Sequence, residues 1–470
     1  MNWQVAILMC AVGIAVLFFV NRNKAVQTSN ALWLPVIWMW LVGSRSLSQW
    51  FGVGPGNLNG TLEGSPLDAA VFGLLVAMGA IVLLRRRRYT RAYLAVMTPI
   101  VAYSVYCLMS VVWAPYPVPA LKRWVKDVGD VVMVLIICTD PRPLEACRRL
   151  FSRVGFILLP FSMVLIRFTT LGRTWNNDGL LAIVGVTDNK NTLGLITFVI
   201  SLGVLWNIRW LLSNRGEQNR SGRLVAQGIL LTCGLSLLLM AHSSTSLACF
   251  LLGSGLMVAT HLRTVRCQPS RVRWLCIATL AAGVLATVFG GAGDVANALG
   301  RDTTFSGRTN IWAALMPAVS NPIIGVGFDS FWTSPDARIF HSNLNRQHWY
   351  HAEQINEAHN GYIEVYLNLG WIGACLIVVI LTIGLWRASR ACQINPEIGS
   401  LMLAYIVTGT FYSITEAGFR TLNPMWIFIL LAVVSASGVN ARLFGEEPVK
   451  RSRVRTAAAE IAWAGRASRA

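Results

Sequence analysis

The chain has 470 residues, of which 54% are hydrophobic and 13% charged, and its mean hydropathy is +0.54. This composition excludes a disordered chain and an ordinary water-soluble domain. Lysine and arginine total 40 against 21 acidic residues, a net charge of +19. Most of the basic residues lie in short connectors between apolar runs, so the charge orients membrane helices and does not indicate nucleic-acid binding.

Repeated apolar runs, each near the length that crosses a bilayer, predict an all-α, polytopic integral membrane protein. We expect about 13 transmembrane helices, within a range of about 12 to 14. The predicted spans in chain order are 3–20, 31–51, 68–84, 93–113, 126–138, 151–169, 191–211, 224–241, 246–262, 274–289, 361–386, 398–414 and 424–439.

The first apolar run has no basic segment before it and is followed by Arg22 and Lys24. We therefore expect it to stay in the protein, with its N-terminus outside. Residues 1–440 then form one transmembrane domain with a long outer loop at 290–360, and residues 441–470 form a basic cytoplasmic tail. Most of the ten cysteines lie in apolar runs and the rest in inner connectors, which predicts free thiols and no zinc site.

Basic residues on the predicted outer side are few, and helix insertion does not explain them. Lys122 and Arg123 follow the proline-rich segment 114–119 and are predicted to lie at the interface beside phosphate groups. Arg173 lies in the next outer loop. These residues are candidate ligands for an anionic substrate.

Lys190 and Asn191 stand at the start of a predicted helix, a position that favours anions. Plain capping by Asp188 or Asn189, with a snorkelling lysine, explains the same residues. His242 lies in a polar hairpin, 242–246, whose hydroxyls could bond sugar or phosphate oxygens, although bonding within the hairpin is the simpler interpretation.

Arg308 lies in the long outer loop, before a helix-like stretch that ends at Asn321-Pro322. Its guanidinium could clamp a diphosphate and stabilise the charge of a leaving group. A salt bridge to Asp302 or Asp329 is the alternative.

His359 and Asn360 stand at the mouth of the next span, and nine residues separate Asn360 from Gly370. With an ordinary pKa near 6.5, a neutral imidazole could accept a proton from a sugar hydroxyl. Helix capping is the alternative role. Gly370 and Gly373 are expected to allow close helix packing that holds His359 on a rigid element.

Two further sets invite simpler explanations. Glu416 and Arg420, in the last outer turn, are expected to pair with each other. The histidines of the long loop match no compact pattern of metal ligands, so we assign no metal; they are His341, His348 and His351.

In this order, the motifs resemble those of the O-antigen ligase and polymerase (Wzy/WaaL) superfamily, particularly its exopolysaccharide-production branch. The signature is His359-Asn360 with Gly370-x-x-Gly373, preceded by Gly307-Arg308-x-x-Ile311-Trp312 and Gly325-x-Gly327. The resemblance also covers segments 113–123 and 188–194. It departs at the 242–245 hairpin, where many relatives carry an arginine and this chain has His242.

The resemblance implies a GT-C type glycosyltransferase in the bacterial inner membrane, with its active site on the periplasmic face. The donor would be an undecaprenyl-diphosphate-linked glycan and the acceptor a polysaccharide or lipid A core. The reaction would invert the anomeric carbon and need no metal or other cofactor. His359 would act as the base and Arg308 would bind the diphosphate.

Two other function classes fit a polytopic protein. A glycan transporter or flippase would place ionisable residues near mid-membrane and contain related halves, whereas the charges here concentrate in outer loops. A non-catalytic assembly scaffold would tolerate the loss of His359.

Overall fold

The computed structural model describes residues 3–23, 26–52, 65–175, 181–262, 270–274, 276–278, 280–281, 305–346 and 355–444. The α-helices are α1 (Trp3–Val20), α2 (Trp33–Val42), α3 (Leu47–Trp50), α4 (Pro66–Arg85), α5 (Arg87–Val96), α6 (Thr98–Ser110), α7 (Pro117–Cys138), α8 (Pro143–Phe168), α9 (Lys190–Ser213), α10 (Arg220–Met240), α11 (Ser244–Ala259), α12 (Phe305–Leu315), α13 (Pro335–Arg346), α14 (Gly361–Ile394), α15 (Pro396–Thr415) and α16 (Pro424–Asn440). Strand β1 (Arg173–Trp175) pairs antiparallel with β2 (Leu181–Ile183), between α8 and α9.

The protein is an all-α, multi-pass membrane protein. Among the described residues, seven helices are long and apolar enough to cross a membrane, and a bent pair of helices raises the number to eight. Three shorter apolar helices, 30–42, 244–259 and 424–440, coincide with predicted spans. The total of about 13 spans stays a prediction, because span 274–289 lies largely outside the described residues. Residues 445–470 of the predicted tail also lie outside them.

Most predicted spans coincide with one helix, and two differ in shape. Span 31–51 is interrupted after Gly43, and Ser46 restarts the chain as α3 through a capping box with Gln49. Span 93–113 bends by 88° between α5 and α6. Pro99, which lacks a backbone donor, lies in the first turn of α6 and favours a helix start there.

Helix α16 forms the centre of the bundle and is buried along its whole length from Pro424 to Val439. It packs against α14, α15, α7 and α9. A helix that is apolar on every face is stable only when protein or lipid surrounds it. In contrast, α1 has a single buried residue, Ala6, and presents the rest of its surface outward. The nine cysteines within the described part of the chain are free.

Helix α14 is broken near its start. Gly370 has a φ of +64°, and a Cβ there would come within 2.2 Å of the Ile323 carbonyl oxygen. Trp371 N donates to Pro322 O at 2.9 Å, and Gly327 N donates to Asn368 O at 2.8 Å. The expected role of Gly370 in packing one continuous helix is therefore wrong, because it opens the helix so that loop 322–327 can bond to its backbone.

Candidate active site

Glu416, the residue after α15, is where distant parts of the chain meet. Its Oε1 lies 3.2 Å from Arg308 Nη2 and accepts a hydrogen bond from Asn191 Nδ2 at 3.1 Å. Its Oε2 lies 3.5 Å from His359 Nδ1. Arg308 Nη1 also donates to the carbonyl of Thr415. One carboxylate, only 8% exposed, thus joins α12, the start of α9 and the segment before α14.

Glu357 extends this cluster on the other side of the imidazole. His359 Nδ1 lies 2.7 Å from Glu357 Oε1, and Arg420 Nη1 lies 3.5 Å from Glu357 Oε2. The charged groups therefore alternate in sign from Arg308 to Arg420. The expected pairing of Glu416 with Arg420 is wrong, because Arg308 and His359 occupy Glu416 while Arg420 reaches Glu357.

The two carboxylates change the proton affinity of His359. Burial alone would lower the pKa of the imidazole, but hydrogen bonds and charges from Glu357 and Glu416 outweigh burial and raise the pKa to about 9. Burial would raise the pKa of Glu357, but His359, Arg420 and Arg308 lower it. The expectation of an ordinary pKa near 6.5 is therefore wrong. At neutral pH most of the imidazole is protonated.

The backbone around His359 is tightly specified. His359 has a φ of +47°, in the left-handed region that few non-glycine residues adopt. The Asn360 side chain accepts from Tyr362 N and Ile363 N and caps α14, while its Nδ2 donates to Ile414 O at 3.0 Å. Asn360 therefore ties α14 to α15, and capping belongs to it, not to His359.

Glu364, buried in the first turn of α14, supports the same segment. Its Oε1 accepts a hydrogen bond from Ala358 N at 2.6 Å. Trp332 Nε1 donates to both of its carboxylate oxygens, at 3.1 and 3.0 Å. The bond to Ala358 fixes the position of the residue before His359. Sequence reasoning missed Glu364, although an acidic residue soon after His359-Asn360 could have indicated it.

A polar cavity of about 380 Å³ opens beside the cluster. Its wall includes Glu357, Glu416 and Arg420, together with Asn189 and Asn191 from the start of α9. Cavities with a few convergent charged groups are typical ligand sites. The cavity can admit a polar ligand against Glu357, Glu416 and Arg420, and Arg308 and His359 contact this lining through Glu416.

The start of α9 performs two tasks. Asn189 caps the helix by accepting from Thr192 N at 2.8 Å, in agreement with the capping interpretation. Asn191 contacts Glu416, so it belongs to the charged cluster. Lys190, half-buried, lies between them at the first position of α9.

The remaining predicted ligands lie outside the cluster. Arg173 is exposed on β1 and its Nε donates to Ile166 O at 2.9 Å. His242 is exposed in the turn between α10 and α11, with a φ of +48°. In that hairpin Ser243 Oγ donates to Ser246 Oγ at 3.0 Å, while Thr245 Oγ1 lies 3.1 Å from Thr415 Oγ1. The hairpin thus satisfies its own hydroxyls and also packs beside the end of α15.

Lys122 and Arg123 lie within α7, a helix that starts at Pro117 and continues through both residues. Their position at the membrane interface stays a prediction. Arg123 Nη1 donates to Asp329 O at 2.6 Å and its Nε lies 4.0 Å from Asp329 Oδ2. Asp329 is therefore the partner of Arg123, whereas Glu416 is the partner of Arg308. Asp302 lies outside the described residues.

The donor set of Glu357, His359 and Glu416 also has a geometry that a cation could use, since one ligand atom from each lies within 4.8 Å of the others. Two guanidiniums already neutralise these carboxylates, Arg308 on Glu416 and Arg420 on Glu357. A divalent cation placed between them would be repelled by both. His341 Nε2 contacts Ile355 O at 2.9 Å, and His348 and His351 lie outside the described residues.

Two comparisons with known proteins agree with this geometry. Residues 229–378 match the O-antigen ligase family model, and this span contains Arg308, His359 and Gly370. The exopolysaccharide production protein ExoQ of Rhizobium meliloti (strain 1021) is 24% identical over 291 residues. The alignment covers 60% of this chain and 63% of ExoQ, less than two thirds of that relative's length. The chain is thus a multi-pass membrane protein that is similar to the O-antigen ligase family over residues 229–378 and to ExoQ over 60% of its length.

Proposed function

We propose that this protein is a membrane glycosyltransferase that moves an undecaprenyl-diphosphate-linked glycan en bloc onto a saccharide acceptor. The observation that carries the proposal is the contact of Arg308 and His359 with the two oxygens of Glu416, at 3.2 and 3.5 Å. One carboxylate thereby holds a guanidinium, which can bind phosphate, and an imidazole, which can accept a proton, beside a polar cavity that Glu416 lines.

In the proposed reaction, an acceptor hydroxyl oxygen attacks the anomeric carbon of the donor while its proton passes to the Nε2 of neutral His359. The bond from that carbon to the diphosphate breaks, and the polyprenyl diphosphate leaves with the electron pair. Attack from the face opposite the leaving group inverts the anomeric carbon. Glu357 and Glu416 stabilise the imidazolium that forms.

The leaving diphosphate carries the charge that the site has to stabilise. Arg308 uses only some of its five N–H donors in its bonds to Thr415 and Glu416. The other N–H groups can bind phosphate oxygens. Arg420 stands at the far end of the array and Lys190 at the start of α9. Arginine forks match phosphate geometry and can provide this stabilisation without a metal ion.

We further propose that the acceptor is a growing polysaccharide. ExoQ is described as an exopolysaccharide production protein. This likeness supports a growing polysaccharide as the acceptor in preference to lipid A core, and hence polymerisation in preference to ligation. The site would face the periplasm from the inner membrane, since the arginine-rich connectors lie at the other ends of the helices.

Reconstitution of the purified protein with lipid-linked oligosaccharide tests the proposal. Wild type is expected to convert the donor into longer glycans and to release polyprenyl diphosphate. His359→Ala and Arg308→Lys are expected to lose about 100-fold or more of this rate. Arg338→Gln, an exposed arginine on α13, is the matched control and should remain active.

Thermal unfolding and gel filtration of each variant separate a catalytic loss from misfolding. A folded His359→Ala variant with the wild-type rate would remove this residue from the mechanism. Glycosylated lipid A in place of longer glycans would identify a ligase. Passage of the donor across the vesicle membrane without new glycosidic bonds would indicate a flippase.

A further inference from the structure

A second large cavity lies at the opposite end of the bundle from Glu416. Arg148, near the start of α8, pairs with Glu397 at the start of α15, whereas Glu416 follows the end of α15. A helix of 20 residues separates these ends by about 30 Å. The first turns of α8 therefore lie near the opposite membrane surface from the charged cluster, at the end that carries the arginine-rich connectors.

This cavity, of about 590 Å³, lies between the C-terminal end of α1, the N-terminal end of α2 and the first half of α8. Its described lining contains three arginines, Arg22, Arg149 and Arg153, and no carboxylate. A recess whose described lining has three arginines and no carboxylate is suited to an anionic ligand.

Arg153 is the residue of this cavity that is best placed to bind an anion. Its guanidinium lies over the Trp33 ring, 4.4 Å from the centroid. Its Nη1 is buried and has no hydrogen-bond partner among the described residues. An unsatisfied buried donor is unfavourable, and the oxygen of a phosphate entering the cavity would satisfy it.

The neighbouring charges leave Arg153 available. Arg149 already has partners in the protein: it pairs with Glu145 at 3.2 Å and donates to Thr28 Oγ1 at 3.1 Å. Glu145 also lies 3.5 Å from Arg148, and Asp140 accepts from Ser29 N at 3.1 Å. The nearby carboxylates are thus occupied by other groups.

The other wall of the cavity is aromatic. Phe18 of α1 packs edge-on against Phe156 of α8, with ring centroids 5.6 Å apart, and stacks on Trp33 at 6.2 Å. Helix α1 is otherwise exposed along most of its length. An acyl chain can follow this apolar wall toward the bilayer while a head group lies against the arginines.

We propose that this cavity is a binding site for an anionic membrane phospholipid, with the head-group phosphate on Arg153 and Arg22 and the acyl chain along Phe18 and Phe156. Free inorganic phosphate offers the same oxygens but gains nothing from the aromatic wall. The bound lipid would fasten α1 to the rest of the bundle.

Native mass spectrometry of the protein exchanged into mixed micelles tests this site, with phosphatidylglycerol and phosphatidylethanolamine as competing probes. Wild type is expected to retain phosphatidylglycerol preferentially. Arg153→Gln should reduce this preference by roughly fivefold, the effect of one basic charge near an anionic surface. Arg88→Gln, an exposed arginine that follows α4 at the same end of the bundle, should leave it unchanged.

Gln27→Glu provides a second test if Arg153→Gln does not fold. Gln27 lines the cavity and is exposed, so the change adds a negative charge at nearly constant size. It should also weaken phosphatidylglycerol retention by roughly fivefold. Equal retention of the two lipids by wild type would overturn the proposal, as would displacement of the lipid by millimolar inorganic phosphate.

Discussion

His359 Nδ1 lies 2.7 Å from Glu357 Oε1, and this contact makes the imidazole a stronger base that is less often neutral. Together with Glu416, Glu357 raises the pKa of His359 to about 9 against the opposing effect of burial. If neutral His359 is the base, the transfer rate should rise with pH up to about 9 and then level off.

Replacing Glu357 by Gln removes one of the charges that favour the imidazolium, so the pKa of His359 should fall. The rising part of the pH profile should then move to lower pH by about one unit. The measurement is the pH dependence of kcat/KM for both proteins. A wild-type rate that falls as pH approaches 9 would instead assign the active form to the imidazolium.

Glu416→Gln should lower the transfer rate strongly while lowering the stability of the protein only moderately. The change removes the charge that holds Arg308 and His359 together, and we expect the transfer rate to fall about 100-fold. Loss of the buried pairing should cost about 1–3 kcal/mol of stability, seen as a lower Tm. Glu217→Gln, which removes an ion pair with Arg223 at the opposite end of the bundle, should leave the rate near wild type.

Gly370→Ala should destabilise the protein, because the backbone there has a φ of +64° and a Cβ would meet the Ile323 carbonyl. With ψ at −164°, this backbone lies in a region that is essentially restricted to glycine, and it costs about 1–3 kcal/mol for other residues. Gly228→Ala in α10 is the matched comparison, since a Cβ there would meet no atom within 4 Å. Thermal unfolding should rank the Gly370 variant well below the Gly228 variant, and equal Tm values would contradict the role of the loop contact.

Removal of divalent metal should leave transfer unchanged. Arg308 and Arg420 neutralise the carboxylates that flank His359, so a cation gains little at this cluster. The rate in excess EDTA should equal the rate in Mg²⁺. A rate abolished by the chelator and restored by one metal ion would overturn this assignment.

The pattern of apolar runs correctly predicted an all-α membrane protein, and span 3–20 coincides with α1 while span 424–439 falls within α16. It could not show that Gly370 breaks α14, because a glycine in an apolar run is compatible with both a packed and an open helix. The break depends on loop 322–327, which bonds to it from a distant part of the sequence.

The site was foreseen only in part. Arg308 and His359 were identified by residue type and motif, and the structure places both on Glu416. The partner itself was misassigned, because Glu416 and Arg420 are close in sequence and local pairing was the simplest expectation. The raised pKa of His359 depends on Glu357 and Glu416 together, and their convergence is a property of the tertiary fold alone.

Helix α16 also constrains how the protein is assembled. The ribosome makes α16 after α7, α9, α14 and α15, which surround it in the finished bundle. Those earlier helices therefore cannot complete their packing in the bilayer until α16 inserts between them. Assembly of the bundle around α16 would therefore be completed late during translation, after the residues of the charged cluster have been made.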